Sequence, residues 1–71
     1  MLSIMSPSET ELEMAARHVR AGEGHVANQR ELVWRLAERG RPTELALETL
    51  RQFEEMLEMH RQHLERLLSS G

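Results

Sequence analysis

The chain contains no cysteine, and this absence limits how so small a protein can be stabilised. Domains of about its length of 71 residues bury only a small core and usually add disulfides, a metal ion or a partner subunit. Without cysteine, disulfides and thiolate zinc sites are excluded. Metal binding through histidine or carboxylate ligands and self-association are therefore the remaining ways of stabilising the fold.

Aspartate, lysine and tyrosine are also absent, so every acidic residue is Glu and the basic residues other than histidine are all Arg. Glu and Arg favour helices, as do the abundant Leu, Ala and Met, whereas strand-forming residues are scarce. The composition therefore predicts an all-α protein. A net charge of −3 argues against nucleic acid as the main partner, because nucleic-acid-binding domains carry a basic surface.

No apolar run approaches the roughly 20 residues that a membrane-spanning helix needs. The first five residues, Met1 to Met5, lack the basic segment of a secretory signal. We therefore expect a cytoplasmic protein without a membrane segment.

Two sets of start and stop signals divide the chain into two helices within a single domain, residues 1–71. We expect residues 1–5 to form a loose lead-in, and Ser6 and Pro7 suit the N-cap and first position of a helix. Gly40 and Pro42 end that helix, and Thr43 caps the next one. The sequence thus predicts helices over about 7–39 and 43–68, joined by a short turn that makes them antiparallel neighbours.

Apolar residues recur in both predicted helices with the spacing of a coiled-coil seam. In the first helix, heptad position a holds Leu12, Val19, Val26 and Val33, and position d holds Ala15, Gly22, Gln29 and Leu36. In the second helix, position a holds Leu50, Leu57 and Leu64, and position d holds Ala46, Phe53, His60 and Leu67. Because Val19 and Val26 keep the same phase across Gly22 and Gly24, we expect one continuous helix, with Gly22 small because a bulky side chain faces it.

The charges that flank the seam predict the same hairpin independently. The e positions of antiparallel helices are neighbours. A fold at residues 40–43 places Glu23 beside Arg61 and Arg30 beside Glu54, and both pairs are opposite in sign. Such exposed pairs stabilise little, so they mainly select the register.

A lone hairpin leaves apolar side chains uncovered, which predicts that two copies dimerise into a four-helix bundle. The residues expected at such an interface, or at the surface for another protein partner, are Trp34, Leu32, Met56, Met59, Gln29 and His60. Trp34 lies near the hairpin tip beside several arginines. It could anchor another protein partner, because Trp and Arg dominate binding hot spots, or pack between the two copies.

The four histidines, His18, His25, His60 and His63, admit two interpretations. Imidazole binds zinc, copper, nickel and iron, and helix bundles hold metals through Glu-x-x-His helices. The chain matches that motif poorly, so solvated rim residues are the simpler interpretation for the three at position g. His60 at position d, like Gln29, is expected to fix register or oligomer state as a polar residue within an apolar seam.

No catalytic or cofactor-binding pattern is present. The serines cluster near the two ends of the chain, away from a histidine on a rigid element, and there is no Gly-rich phosphate loop. We therefore expect a structural or regulatory interaction protein rather than an enzyme, with no cofactor. A His-based metal-binding bundle is the alternative.

One set of residues carries a resemblance to known proteins. It comprises His25, Val26, Gln29, Arg30, Leu32, Val33, Leu36, Gly40, Thr43, Glu44, Ala46, Leu50, Phe53, Glu54, His60, His63, Leu64 and Leu67. Over residues 12–68 the chain resembles a group of short uncharacterised bacterial helical-hairpin proteins. The resemblance implies a hairpin fold and assigns no catalytic or binding residue.

Overall fold

The computed structural model of the protein describes residues 9–70, which contain two long α-helices. The first, α1, spans Glu11–Glu38, and the second, α2, spans Glu44–Ser70. They pack against each other as an antiparallel hairpin. The predicted all-α hairpin is therefore confirmed for the described part of the chain.

The first helix begins later than the sequence predicted. Thr10 is the N-cap, with its side chain accepting from the backbone N–H of Glu13 at 3.0 Å, while the Glu13 carboxylate accepts from the N–H of Thr10. This reciprocal capping box satisfies two N–H groups that a helix start leaves free. The predicted start at residue 7 is wrong, since Glu9 and Thr10 precede the helix. The expected capping residue Ser6 and Pro7 lie outside the described residues.

The turn between the helices follows the predicted signals. Gly40 has a φ of 66°, the left-handed conformation that glycine adopts without a Cβ penalty. The N–H of Gly40 donates to the carbonyl of Ala37 at 3.0 Å, and the N–H of Arg41 donates to that of Leu36 at 2.9 Å. These two bonds form a Schellman motif, which satisfies carbonyls at the end of α1.

The interior of the hairpin is thin. Among the described residues, the buried apolar side chains are those of Ala15, Val26 and Leu57, and Gly22 is buried between the helices. The molecule is only 13 Å across its narrowest dimension, close to the 10–12 Å diameter of one helix. The hairpin is thus a single layer of two helices whose two broad sides both lie open.

The first helix runs without a break through Gly22 and Gly24, as predicted. A Cβ added at Gly22 would lie 3.0 Å from the Cδ1 of Leu57, whereas one added at Gly24 would meet no atom within 4 Å. Gly22 therefore lets Leu57 pack closely over α1. This confirms that a bulky side chain faces Gly22.

Candidate functional site

The two broad sides of the hairpin differ in chemistry. One side, which we term the charged face, is formed by Glu23, Ala27, Arg30, Glu54, Glu58 and Arg61 around Val26 and Leu57. The other, which we term the His–Met face, is formed by Met14, His18, Ala21, His25, Phe53, Met56, Met59, His60 and His63. The His–Met face is the candidate functional site.

The charged face carries the register that the sequence predicted. Arg30 donates to the carboxylate of Glu54 at 3.2 Å, and Arg61 donates to that of Glu23 at 3.4 Å. Both pairs are largely exposed, so each contributes at most about 1 kcal/mol. The two pairs mainly align the helices, because a one-turn slip of α2 would separate both pairs at once.

Two shallow depressions follow one another along the His–Met face. The middle one is lined by His18, Ala21, Gly22, His25, Phe53, Met56, Leu57 and His60. The outer one, nearer the open end of the hairpin, is lined by Glu11, Met14, Ala15, His18, Met59, His60, Gln62, His63 and Arg66. Arginine and glutamate are confined to the outer one, so the centre of the face is apolar apart from its imidazoles.

The charge segregation extends along the middle of the hairpin, between Glu11 and Arg66 at the open end and Arg35 near the tip. Heptad positions c and g, which lie two residues after and one before each a position, point towards the His–Met face. Between residues 12 and 34 and between 45 and 65 these positions hold Met14, His18, Ala21, His25, Asn28, Leu32, Leu45, Thr49, Gln52, Met56, Met59 and His63. None of them is Glu or Arg, whereas most residues at b, e and f in the same stretches are. One side of the hairpin is thus almost free of formal charge.

The histidines contact aromatic rings across the two helices. The ring centroids of His18 and His60 are 5.1 Å apart, and those of His25 and Phe53 are 5.7 Å apart. His63 lines the outer depression beside His18. The ring that contacts His18, however, belongs to His60. His60 is half-buried rather than enclosed in the seam.

Gln29, the other polar residue at position d, bonds within its own chain. Its side-chain amide donates to the backbone carbonyl of Ala46 at 3.0 Å. The bond joins α1 to the first turn of α2 near the hairpin tip. Gln29 therefore aligns the two helices, and its predicted role at an interface between copies stays a prediction.

The side chains expected at an interface are strongly exposed. On the His–Met side, Leu32, Met56 and Met59 are 44%, 54% and 65% exposed. Leu45, near the tip, is 82% exposed. Trp34 is 63% exposed at heptad position b, on the side of α1 away from the g positions. The predicted interface residues therefore fall on two separate surfaces.

A further ion pair orders the entry to α1. Arg17 donates to both carboxylate oxygens of Glu9 at 2.8 Å. The hydrogen bonds from Arg17 lower the pKa of Glu9 below its usual value, because they favour the charged carboxylate. Both side chains are well exposed, so the pair positions the segment before Thr10 more than it stabilises the fold.

Within residues 9–70, no three His or Glu side chains gather closely enough to hold a metal ion. The contact of His18 with His60 brings together two imidazoles, and zinc sites take at least three protein ligands. The metal-binding alternative therefore gains no support from this part of the chain. Neither α1 nor α2 has a stretch apolar enough to cross a membrane.

Comparison with known proteins adds no further assignment. No family model, no curated protein and no solved structure matches the chain. The resemblance to short bacterial hairpin proteins therefore stays a prediction. The function has to be inferred from the His–Met face itself.

Proposed function

We propose that this protein is a structural or regulatory interaction module whose hairpin pairs with a second copy through the His–Met face. The observation that carries the proposal is the charge segregation between the two broad sides. A side that only faced water would be expected to carry Glu and Arg, as the charged face does. Its apolar composition instead fits the centre of a protein interface, where charged residues are depleted and Met is enriched.

A second copy fits this face for two reasons. The face is long and nearly uncharged, so two copies can cover it without burying unpaired charges. The hairpin also encloses few apolar side chains, and small domains without disulfides or metals commonly add a partner subunit. Two hairpins packed face to face give a four-helix bundle with a central core.

In such a bundle the charged faces point outwards, which favours solubility and leaves surfaces for other partners. Trp34 then lies outside the contact between copies, on the side of α1 away from the His–Met face. With Arg39 and Arg41 nearby, it forms a second candidate surface at the hairpin tip. Trp and Arg are the residues most enriched at binding hot spots.

A matched pair of alanines tests the proposal. Ala21 lines the His–Met face and Ala27 lines the charged face, and both are exposed residues of α1. We expect Ala21→Glu to convert the dimer to a monomer in sedimentation equilibrium at micromolar concentration, because the new carboxylate would be buried between the copies. Ala27→Glu places the same group in water and should leave the dimer intact.

Circular dichroism of both variants separates loss of pairing from loss of the helices. A wild-type chain that sediments as a monomer with intact helices up to millimolar concentration would refute the proposal. So would an Ala21→Glu variant that remains as dimeric as Ala27→Glu. Equal loss of the dimer in both variants would place the contact elsewhere and would also count against the His–Met face.

A further inference from the structure

All four histidines of the chain lie on the His–Met face. His18 and His60 line both depressions, His25 lines the middle one and His63 lines the outer one. Histidine is the side chain whose charge ordinarily changes between pH 5 and 8. The one nearly uncharged side of the hairpin therefore carries every imidazole of the chain.

No carboxylate lines the centre of the face to balance the positive charge of a protonated histidine. The outer depression holds Glu11 and Arg66, one of each sign, and the nearby Glu9 is bound by Arg17. The middle depression has no carboxylate and no arginine among its lining residues. With the histidines neutral the face is nearly uncharged, and with them protonated it becomes strongly positive.

The contact between His18 and His60 places two ionisable rings against each other within one chain. Their ring centroids lie 5.1 Å apart, a separation at which neutral rings pack and two imidazolium ions repel. An unpaired hairpin lets water solvate such charges, since both side chains are half-buried. A second copy seated on the face would remove that water and bring a further set of the same histidines close.

We propose that acidification separates the paired copies, so that the His–Met face works as a pH-controlled contact. This inference rests on the proposed self-association. Protonation is favoured in the separated hairpin and disfavoured in the pair, because burial of an uncompensated charge is costly. Association is therefore strongest above about pH 6.5, where imidazoles are neutral, and weakens as the pH falls through that value.

The expected size of the effect follows from proton linkage. For any imidazole of ordinary pKa, about 6.5, that pairing keeps neutral, the dissociation constant rises about tenfold between pH 7.5 and 5.5. A two-fold pair holds two copies of each residue. One such histidine position therefore changes the dissociation constant about 100-fold, and more than one changes it further.

Sedimentation equilibrium of the full chain at pH 7.5, 6.5 and 5.5 and constant ionic strength tests the inference. We expect the wild-type dissociation constant to rise at least about 100-fold across this range, with the helices intact by circular dichroism. The double variant His18→Gln/His60→Gln should lose most of that pH dependence, whatever its dissociation constant at pH 7.5. The complementary variant His25→Gln/His63→Gln is the control that shows how much the outlying histidines contribute.

The possible results separate this inference from the proposed function. A wild-type dimer with the same dissociation constant at pH 7.5 and 5.5 would overturn the pH control alone. A wild-type monomer at pH 7.5 would overturn both. If the double variant failed to pair at all, the wild-type profile would decide: a dissociation constant that rises from pH 7.5 to 6.5 and again to 5.5 supports the histidines, whereas one that stays constant over this range refutes the inference.

Discussion

Gly22 shows how a single residue sets the distance between the helices. A Cβ added there would lie 3.0 Å from the Cδ1 of Leu57 and 3.5 Å from its Cβ. Leu57 is one of the few buried apolar side chains, so it has little room to move away. The cost of a helical glycine is therefore offset by the close packing of Leu57.

Alanine substitution at the two helical glycines separates these effects. Gly24→Ala should raise the free energy of unfolding by about 1 kcal/mol, because alanine favours the helix and the new methyl group faces open space. Gly22→Ala gains the same propensity but must displace Leu57, and overpacking costs about 1–3 kcal/mol. We expect Gly22→Ala to be less stable than Gly24→Ala by about 1–3 kcal/mol in urea denaturation.

Equal stabilisation by both substitutions would show that Leu57 moves aside freely and that Gly22 is not required for close packing. The comparison needs no assumption about the unfolded chain. Both variants make the same chemical change two residues apart on one helix. Their difference therefore reports the environment of Gly22.

At this scale the sequence predicted more about glycine than about histidine. The unbroken heptad phase across Gly22 indicated a continuous helix facing a large side chain, and this is confirmed. The neighbour of His18 was not predicted, because positions g and d of α2 both lie within reach of its ring. Ring contacts depend on rotamers that a heptad assignment does not contain.

Between the two elements, the ion pairs of the charged face fix the register. Reversing one charge by Arg30→Glu should lower the free energy of unfolding by about 0.5–1 kcal/mol, because it faces Glu54 with another carboxylate. Adding Glu54→Arg should restore most of that loss. Thermal and urea denaturation of the two single variants and the double variant give the coupling between the two residues.

The pair Arg35 and Glu31 is the matched control, since it lies four residues apart within α1 at 3.1 Å. Reversing it should affect only the local helix. Absence of coupling between Arg30 and Glu54 would mean that the apolar seam alone holds the register. A coupling free energy below about 0.2 kcal/mol counts as absence of coupling.

The register and the turn were predictable because their signals are local and mutually consistent. The start of α1 was not, because three capping boxes overlap there, beginning at Ser6, Ser8 and Thr10. Each places a Glu three residues after a hydroxyl side chain, so local chemistry alone cannot choose among them. The structure uses the last, at Thr10 and Glu13.

For the molecule as a whole, the informative signal was the scarcity of charged residues on one side. The sequence shows this difference in charge when the c and g positions are compared with the b, e and f positions. The apolar a and d positions alone do not reveal this difference in charge. Exposed apolar residues then look scattered, although Met14, Met56 and Met59 share one continuous face.

A two-helix layer that pairs through this face should depend on the second copy for its stability. Dimers unfold with a midpoint that rises with protein concentration, because dissociation accompanies unfolding. With an unfolding enthalpy of about 0.7 kcal/mol per residue, a tenfold increase in concentration should raise the thermal midpoint by about 5 °C. Circular dichroism melts from micromolar to millimolar concentration measure this shift.

The variant Ala21→Glu should unfold at a lower temperature than the wild type and lose the dependence on concentration, because its hairpin unfolds alone. Ala27→Glu should keep the wild-type shift, since its carboxylate lies on the charged face. A wild-type midpoint that stays constant over a hundredfold range of concentration would mean that the thin interior around Ala15, Val26 and Leu57 is sufficient by itself. In that case the uncharged side of the hairpin would need another explanation than a second copy.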